Sequence, residues 1–162
     1  MAKTAKILIA FVRILIGFIF FWAFLDKVVG LGFATKPNAS WLSGASPTSG
    51  FLKFGTHGPL APLYQQLAGS PMVDWLFMLG LLGIGVALLL GIGLRIAAVS
   101  GALMMLLIYS SLFPPQNNPF IDEHIVYILL LLLFPFADAG ETFGLGSWWK
   151  SQALVRRYPW LR

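Results

Sequence analysis

Long apolar runs, separated by short polar stretches, dominate the pattern of this chain. Four of the runs, at residues 7–26, 73–94, 96–113 and 123–138, have the length of a transmembrane helix. An α-helix rises about 1.5 Å per residue, so about 20 residues cross a hydrocarbon core about 30 Å thick. The pattern therefore predicts an all-α fold, an integral membrane four-helix bundle that forms one domain.

The segment between the first two runs, residues 28–71, is long and rich in Gly, Pro and Ser. We predict that it is an extracytoplasmic loop that packs over the helix ends as a cap. A loop of this length without its own secondary structure is uncommon and usually has a function. At the other end of the chain, residues 147–162 form a basic tail that begins close to Trp148 and Trp149. Such a tail is typical of a membrane interface.

The composition supports a membrane protein. Hydrophobic residues make up 58% of the chain and charged residues 10%, and the mean hydropathy is +0.82. Soluble domains carry about 25% charged residues, so we expect the lipid bilayer to cover much of this surface. The chain has no cysteine, which excludes disulfides and thiolate metal sites within it. The net charge of +5 does not indicate a nucleic-acid partner, because the basic residues lie at the span ends.

The distribution of Lys and Arg predicts the orientation of the spans. Eight of the 11 lie near the N-terminus, the turn at residue 95 and the C-terminus, which the span order places on one side. The positive-inside rule therefore predicts a multi-pass protein of the cell membrane with both termini in the cytoplasm. The eight are Lys3, Lys6, Arg13, Arg95, Lys150, Arg156, Arg157 and Arg162, and the other three are Lys27, Lys36 and Lys53.

Charged residues also end spans one, two and four on the predicted outer side, and we call this set the outer group. Ionisable side chains near lipid are costly and often mark a functional site. The alternative is that charges ordinarily stand at span ends, where they reach water and headgroups. Both explanations stay open. The outer group comprises Asp26, Lys27, Asp74, Asp122, Glu123 and His124, and His57 in the loop is a further candidate.

Carboxylates and histidine at the mouth of a helix bundle suit proton exchange with a quinone. Its two oxygens gain or lose protons during reduction and oxidation, and histidine titrates near neutral pH. Aromatic side chains of the first span can flank the flat ring. We therefore predict Asp26, Lys27, Asp74, Glu123 and His124 as catalytic residues, and Trp22 and Asp122 as residues that bind the quinone.

A metal site is a weaker interpretation of the outer group. The sequence has no H-E-x-x-H motif, and the neighbouring Glu123 and His124 would point about 100° apart on a helix. A haem held by two histidines would need both His57 and His124, one of them from a loop. We expect neither a haem nor a metal.

A second polar set, which we call the inner group, lies on the predicted cytoplasmic side. Arg13 stands six residues into the first run, or roughly 9 Å of helix. It either snorkels to the headgroups or binds an internal carboxylate. We predict a structural ion pair that fixes helix register, drawn from Arg13, Arg95 and Asp138.

Small residues recur every four positions in the second span, at Gly83, Ala87 and Gly91. Such a face lets a neighbouring helix approach closely, so we predict a helix contact there. These glycines do not match the G-x-G-x-x-G fingerprint, and no nucleotide site is expected.

Several short motifs give the chain a family resemblance. They are Arg13 with Gly17 and Asp26-Lys27, then the stretches 41–51, 58–60, 74–85, 91–97, 118–124 and 144–149. On these motifs the chain resembles the DoxX/DoxD family of small four-helix membrane proteins, particularly the DoxD-type subunits of thiosulfate:quinone oxidoreductase. The resemblance implies a quinone cofactor, a quinone-linked oxidation and a second subunit or redox partner, and a homo-oligomer is a further expectation.

Two other classes of function remain as alternatives. The chain could be a non-catalytic membrane anchor or scaffold for a redox partner, with the small-residue faces and the long loop as interaction surfaces. It could also carry a small solute or an anion with the help of Arg13 and Lys27. A carrier is less favoured, because carriers are often built from internal repeats and none is evident here.

Overall fold

The computed structural model describes residues 2–162. All regular secondary structure in that range is helical, and it contains no strand. Three of the described helices are long and apolar enough to cross a membrane: α1 (Lys3–Val29), α3 (Pro71–Leu90) and α4 (Leu94–Ser111). A further apolar helix, α5 (Glu123–Phe136), is shorter. The all-α prediction is thus confirmed, and the apolar helices suggest a bilayer environment.

Short elements fill the connections between these helices. The connecting segment, residues 30–70, links α1 to α3, and a second set of turns follows α5. The α-helical pieces are α2 (Ala61–Gln66), α6 (Gly146–Ser151) and α7 (Ala153–Arg157). Three further elements are 3₁₀ turns: Pro37–Ala39, Trp41–Ser43 and Pro159–Leu161. Phe51–Gly55 is a π-helical turn.

The long helices pack side by side. Helix α1 lies against α3, α3 against α4 and α4 against α5, and α5 also contacts α1. On α1 the buried residues recur three or four positions apart, as expected for a helix with one face in a core. The residues that face away from the core are apolar as well, since Leu15, Leu76, Val99 and Leu129 are at least 60% exposed. Such an outer surface suits lipid contact better than water contact.

Glycines permit a close contact between α1 and α3. A Cβ on Gly85 would stand 2.7 Å from the backbone nitrogen of Phe21, and one on Gly17 would stand 2.8 Å from Cβ of Leu88. Gly83 is exposed, and a Cβ there would meet no atom of the described chain within 4 Å. The predicted helix contact is therefore wrong at Gly83, because the buried face of α3 is centred on its neighbours Ile84 and Gly85.

Left-handed backbone ends α3 earlier than the hydrophobic pattern predicts. Gly91 has φ +71° and Gly93 has φ +58°, conformations that glycine adopts without the penalty of a side chain. The helix therefore stops at Leu90, although the apolar run continues to residue 94. The sharp turn starts α4 beside the end of α3, so the two helices run in opposite directions.

The connecting segment is fastened to the ends of α3 and α4. The hydroxyls of Ser46 and Thr48 donate hydrogen bonds to Asp74 at the start of α3. Farther along, the hydroxyl of Tyr64 lies 2.6 Å from that of Ser110 at the end of α4. The segment thus lies across these helix ends.

Candidate functional site

A hydrogen-bonded pair of side chains begins α5. Asp122 caps the helix, since its Oδ1 accepts a hydrogen bond of 3.0 Å from the backbone nitrogen of His124. Its Oδ2 lies 2.9 Å from Nδ1 of His124, and both side chains are largely buried. A carboxylate at this distance favours a proton on Nδ1, which leaves Nε2 as the proton acceptor of the ring. Local helix capping therefore orients a potential base.

A cavity of about 300 Å³ lies beside this pair, and we call it the histidine cavity. A second histidine, His57 of the connecting segment, also lines the cavity. Its Nε2 lies 3.1 Å from the carbonyl oxygen of Pro114. The backbone nitrogen of His57 also donates to the carbonyl of Ser111. The wall comprises His57, Leu112, residues 115–118 and residues 121–124.

Three consecutive side chains converge at the edge of the histidine cavity. One ligand atom from each of Asp122, Glu123 and His124 lies within 4.8 Å of the other two. Glu123 and His124 were expected to point apart, yet a ligand atom of each lies close to Asp122. Asp122 precedes the helix in extended backbone (φ −132°) and folds back onto it. The group combines two carboxylates with an imidazole, so it can exchange protons or hold a hard cation.

The remaining carboxylates of the outer group lie elsewhere in the described structure, outside the wall of the histidine cavity. Asp74 is buried and accepts hydrogen bonds of 2.9 Å and 2.5 Å from the hydroxyls of Ser46 and Thr48. Asp26 is 1% exposed, and its Oδ1 accepts a bond of 3.4 Å from the backbone nitrogen of Phe33. Both carboxylates therefore hold the connecting segment against the helices.

The other two predicted site residues make similar contacts near the end of α1. Trp22 packs edge-on against Phe33 with ring centroids 5.2 Å apart. The ammonium of Lys27 lies 5.9 Å from the centroid of the Phe77 ring. The outer group therefore lies in two places. Residues 122–124 line the histidine cavity, and the residues of α1 and α3 lie beneath the connecting segment.

Replacement of Asp74 by alanine is expected to release residues 46–48 from α3. The hydroxyls of Ser46 and Thr48 would lose a buried charged acceptor, at a cost of about 1.5–3 kcal/mol per hydrogen bond to a charged group. Hydrogen exchange of amides 41–50 should accelerate, and exchange within α4 should not. Asp74→Asn retains a carbonyl acceptor and should show a smaller effect, whereas equal exchange in wild type and Asp74→Ala would contradict the assignment.

The inner group does not form the predicted ion pair. Arg13 is fully buried, and its Nη2 donates to the carbonyl oxygens of Phe143 at 2.8 Å and Thr142 at 3.4 Å. Asp138 instead binds Lys150, and Arg95 donates to the carbonyl of Pro159. The prediction fails because Asp138 follows the end of α5 and is 56% exposed, so it meets the tail and not the helix interior.

The tail is fixed to the turn after α5 by Lys150, whose ammonium lies 2.5 Å from Asp138 and 2.8 Å from Glu141. Partial burial alone would lower the pKa of Lys150. The hydrogen bonds and the negative charges of Asp138 and Glu141 outweigh that effect, so the pKa lies above its usual value. Lys150 therefore stays protonated at neutral pH.

The sequence interpretation missed part of the cavity wall. The polar side chains of Gln116, Asn117 and Asn118 line it, and none of the three is among the predicted site residues. Gly58, next to His57, lies so close to the carbonyl of Phe113 that a side chain would not fit. A glycine-proline pair directly after a histidine was the available signal for this close approach.

Comparison with known proteins gives no matching family model, curated protein or solved structure. The class of protein therefore rests on the fold and the site themselves. Over residues 2–162 they give an all-helical protein whose apolar helices suggest a bilayer environment, with a histidine–aspartate pair beside a cavity at one end of its helices.

Proposed function

We propose that the chain is the integral membrane subunit of a quinone-linked oxidoreductase. The observation that carries the proposal is the His124–Asp122 pair at the wall of the histidine cavity. Quinone chemistry needs a group that takes or gives a proton at each ring oxygen. A cavity of about 300 Å³ lies at the small end of the range for small-molecule sites, which suits a ring headgroup.

The proton steps follow from the geometry of the pair. Oxidation of a quinol releases two protons and two electrons. Nε2 of His124 would take one of these protons, and Asp122 would stabilise the resulting imidazolium through Nδ1. The exposed Glu123 would take the other proton and pass it to water. Reduction of a quinone would use the same groups in reverse, and the electrons would be exchanged with a partner subunit.

The proposal includes a four-helix membrane bundle with both termini in the cytoplasm. Its support is the surplus of Lys and Arg near the termini and the turn at residue 95, together with the ring of contacts among α1, α3, α4 and α5. The connecting segment and the histidine cavity then face outward. The resemblance to the DoxX/DoxD family suggests that thiosulfate is the electron donor.

Replacement of His124 by alanine is expected to weaken quinone binding and to abolish proton transfer at the cavity. The loss of one hydrogen bond to a ring oxygen corresponds to about tenfold in affinity. Purified protein in nanodiscs should be titrated with short-chain ubiquinone and menaquinone analogues. Asp122→Asn should weaken binding less, because it preserves the shape of the site but reverses the preferred tautomer.

Lys53→Gln is a matched control, because Lys53 is exposed on the connecting segment and does not line the histidine cavity. Saturable binding that is weakened by His124→Ala and unchanged by Lys53→Gln supports the proposal. Equal binding by wild type and His124→Ala contradicts this site, and no binding by the wild type contradicts the function.

A non-catalytic anchor for a redox partner is the second candidate function. Large apolar side chains stand exposed on the connecting segment, with Phe33 at 74%, Leu42 at 77% and Phe54 at 87%. They offer contact area to a partner protein at this end of the helices. Stable capture of a redox partner by a protein that binds no quinone would favour this candidate.

A further inference from the structure

Helix α2, in the connecting segment, exposes three leucines on one flank. Leu60, Leu63 and Leu67 are three and four positions apart, and all of them are exposed. Leu60 and Leu67 flank the helix in α-helical backbone, so the helical spacing holds for all three. At about 100° per residue they share one flank, which we call the leucine flank. Water contact along such a flank is unfavourable, so an apolar partner is expected to cover it.

The other sides of α2 have different surroundings. Ala61 is buried, and the hydroxyl of Tyr64 lies 2.6 Å from that of Ser110, so this side faces the protein. Gln65 is exposed and lies on the flank opposite the leucines, since it is about 200° from Leu63. A helix that lies flat in a membrane interface has this arrangement, with an apolar flank in the lipid and a polar flank in water.

The anchoring of α2 sets its depth relative to the long helices. Tyr64 is bonded to the last turn of α4, and only the four residues 67–70 join α2 to α3. Helix α3 has 20 residues and α4 has 18. They are thus about 30 Å and 27 Å long, which matches a hydrocarbon core about 30 Å thick. Their ends therefore lie at the boundary between acyl chains and headgroups, and α2 lies at the same level.

The leucine flank continues an apolar surface that suits lipid. At the start of α3, Met72, Trp75 and Leu76 are all more than half exposed. Trp41 packs edge-on against Trp75 with ring centroids 4.6 Å apart, and tryptophan is enriched at the level of the headgroups. Residues 28–73 contain no Asp or Glu, and the two lysines of the connecting segment are exposed and can extend to lipid phosphates.

We propose that the leucine flank is immersed in the lipid bilayer, with α2 flat at the boundary between headgroups and acyl chains and Gln65 turned to water. The partner is the lipid itself, because the flank continues the exposed apolar surface of α3 at the depth where that boundary falls. The backbone nitrogen of His57 donates to the carbonyl of Ser111, next to the partner of Tyr64. The histidine cavity is therefore at the same level, whether or not it binds a quinone.

The test uses the absence of cysteine from the chain. Leu63→Cys and Gln65→Cys each receive a nitroxide spin label, and the full chain is placed in phosphatidylcholine nanodiscs. Power-saturation electron paramagnetic resonance then measures the contact of each label with oxygen, which concentrates in lipid, and with a water-soluble nickel chelate. We expect oxygen contact to exceed nickel contact at residue 63, and the reverse at residue 65. Gln65→Cys is the matched control, because it is exposed on the same helix two positions away.

Three results would overturn the proposal. Nickel contact above oxygen contact at both positions would show that the leucine flank faces water. Oxygen contact above nickel contact at both would show that α2 does not lie flat at the boundary. Protection of residue 63 from both reagents would assign the flank to a second copy of the chain, because the purified chain brings no other protein. Val99→Cys, exposed on α4, gives the value for full lipid contact, and Leu67→Cys repeats the measurement on the leucine flank.

Discussion

Replacement of Gly85 by alanine will lower the melting temperature of the protein, whereas the same change at Gly83 will leave it unaltered or raise it slightly, because alanine favours a helix more than glycine does. The new Cβ at residue 85 would stand 2.7 Å from the backbone nitrogen of Phe21 and 3.0 Å from its Cα. Backbone atoms cannot rotate away as a side chain can, so α1 and α3 must separate. Overpacking of this kind costs about 1–3 kcal/mol, and separation of two long helices falls at the upper end of that range.

Gly83 is a close control, because it is on the same helix, has the same helix propensity and faces open space in the described chain. Melting in detergent micelles can be followed by tryptophan fluorescence. Equal melting temperatures for Gly85→Ala and Gly83→Ala would show that α1 and α3 do not approach each other at residue 85.

Replacement of Arg13 by alanine will destabilise the protein strongly, whereas Arg13→Met will retain or increase its stability. Alanine leaves a void among buried residues and frees the carbonyls of Thr142 and Phe143, at a cost of about 2–5 kcal/mol. Methionine fills a similar volume and removes a buried charge. Apolar replacement of a whole buried ion pair is often neutral, or stabilising by about 1–4 kcal/mol. Arg13 has no carboxylate partner among the described residues, so its replacement leaves no counter-charge behind.

The comparison is best made in phosphate-free buffer and lipid-free detergent, so that no added anion offsets the buried charge of Arg13. The Arg13→Met protein should then melt at or above the wild-type temperature. A large loss of stability in Arg13→Met would mean that the hydrogen bonds to the two carbonyls outweigh the cost of burying the charge.

The long apolar runs predicted the long helices well, because a run of this length has few stable alternatives to a helix. The helix ends were harder to predict. Gly91 and Gly93 end α3 through their left-handed backbone. Glycine often follows the end of a helix, but Gly80, Gly83 and Gly85 lie inside the same helix, so glycine alone did not mark the end. The buried face of α3 also lies one residue, or about 100°, from the predicted one, since Ile84 and Leu88 are buried and Gly83 is exposed.

The candidate site was predictable only in part. The polar run 122–124 stood out against the apolar sequence, and the structure places it at a cavity. The role of Asp74 was not predictable, because its partners Ser46 and Thr48 lie in a segment without periodicity. The partners of Arg13 are backbone carbonyls, which every residue has, so no side-chain pattern could indicate them.

The hydrogen bonds of Arg13 can form only late in the synthesis of the chain. Its acceptors follow it by 129 and 130 positions, so α1 leaves the ribosome long before they exist. At about 5–20 residues per second, the delay is on the order of ten seconds. During that time the guanidinium of the first helix has to be held by water, headgroups or the insertion machinery. Final docking of α1 therefore comes late, because it awaits the turn that follows α5.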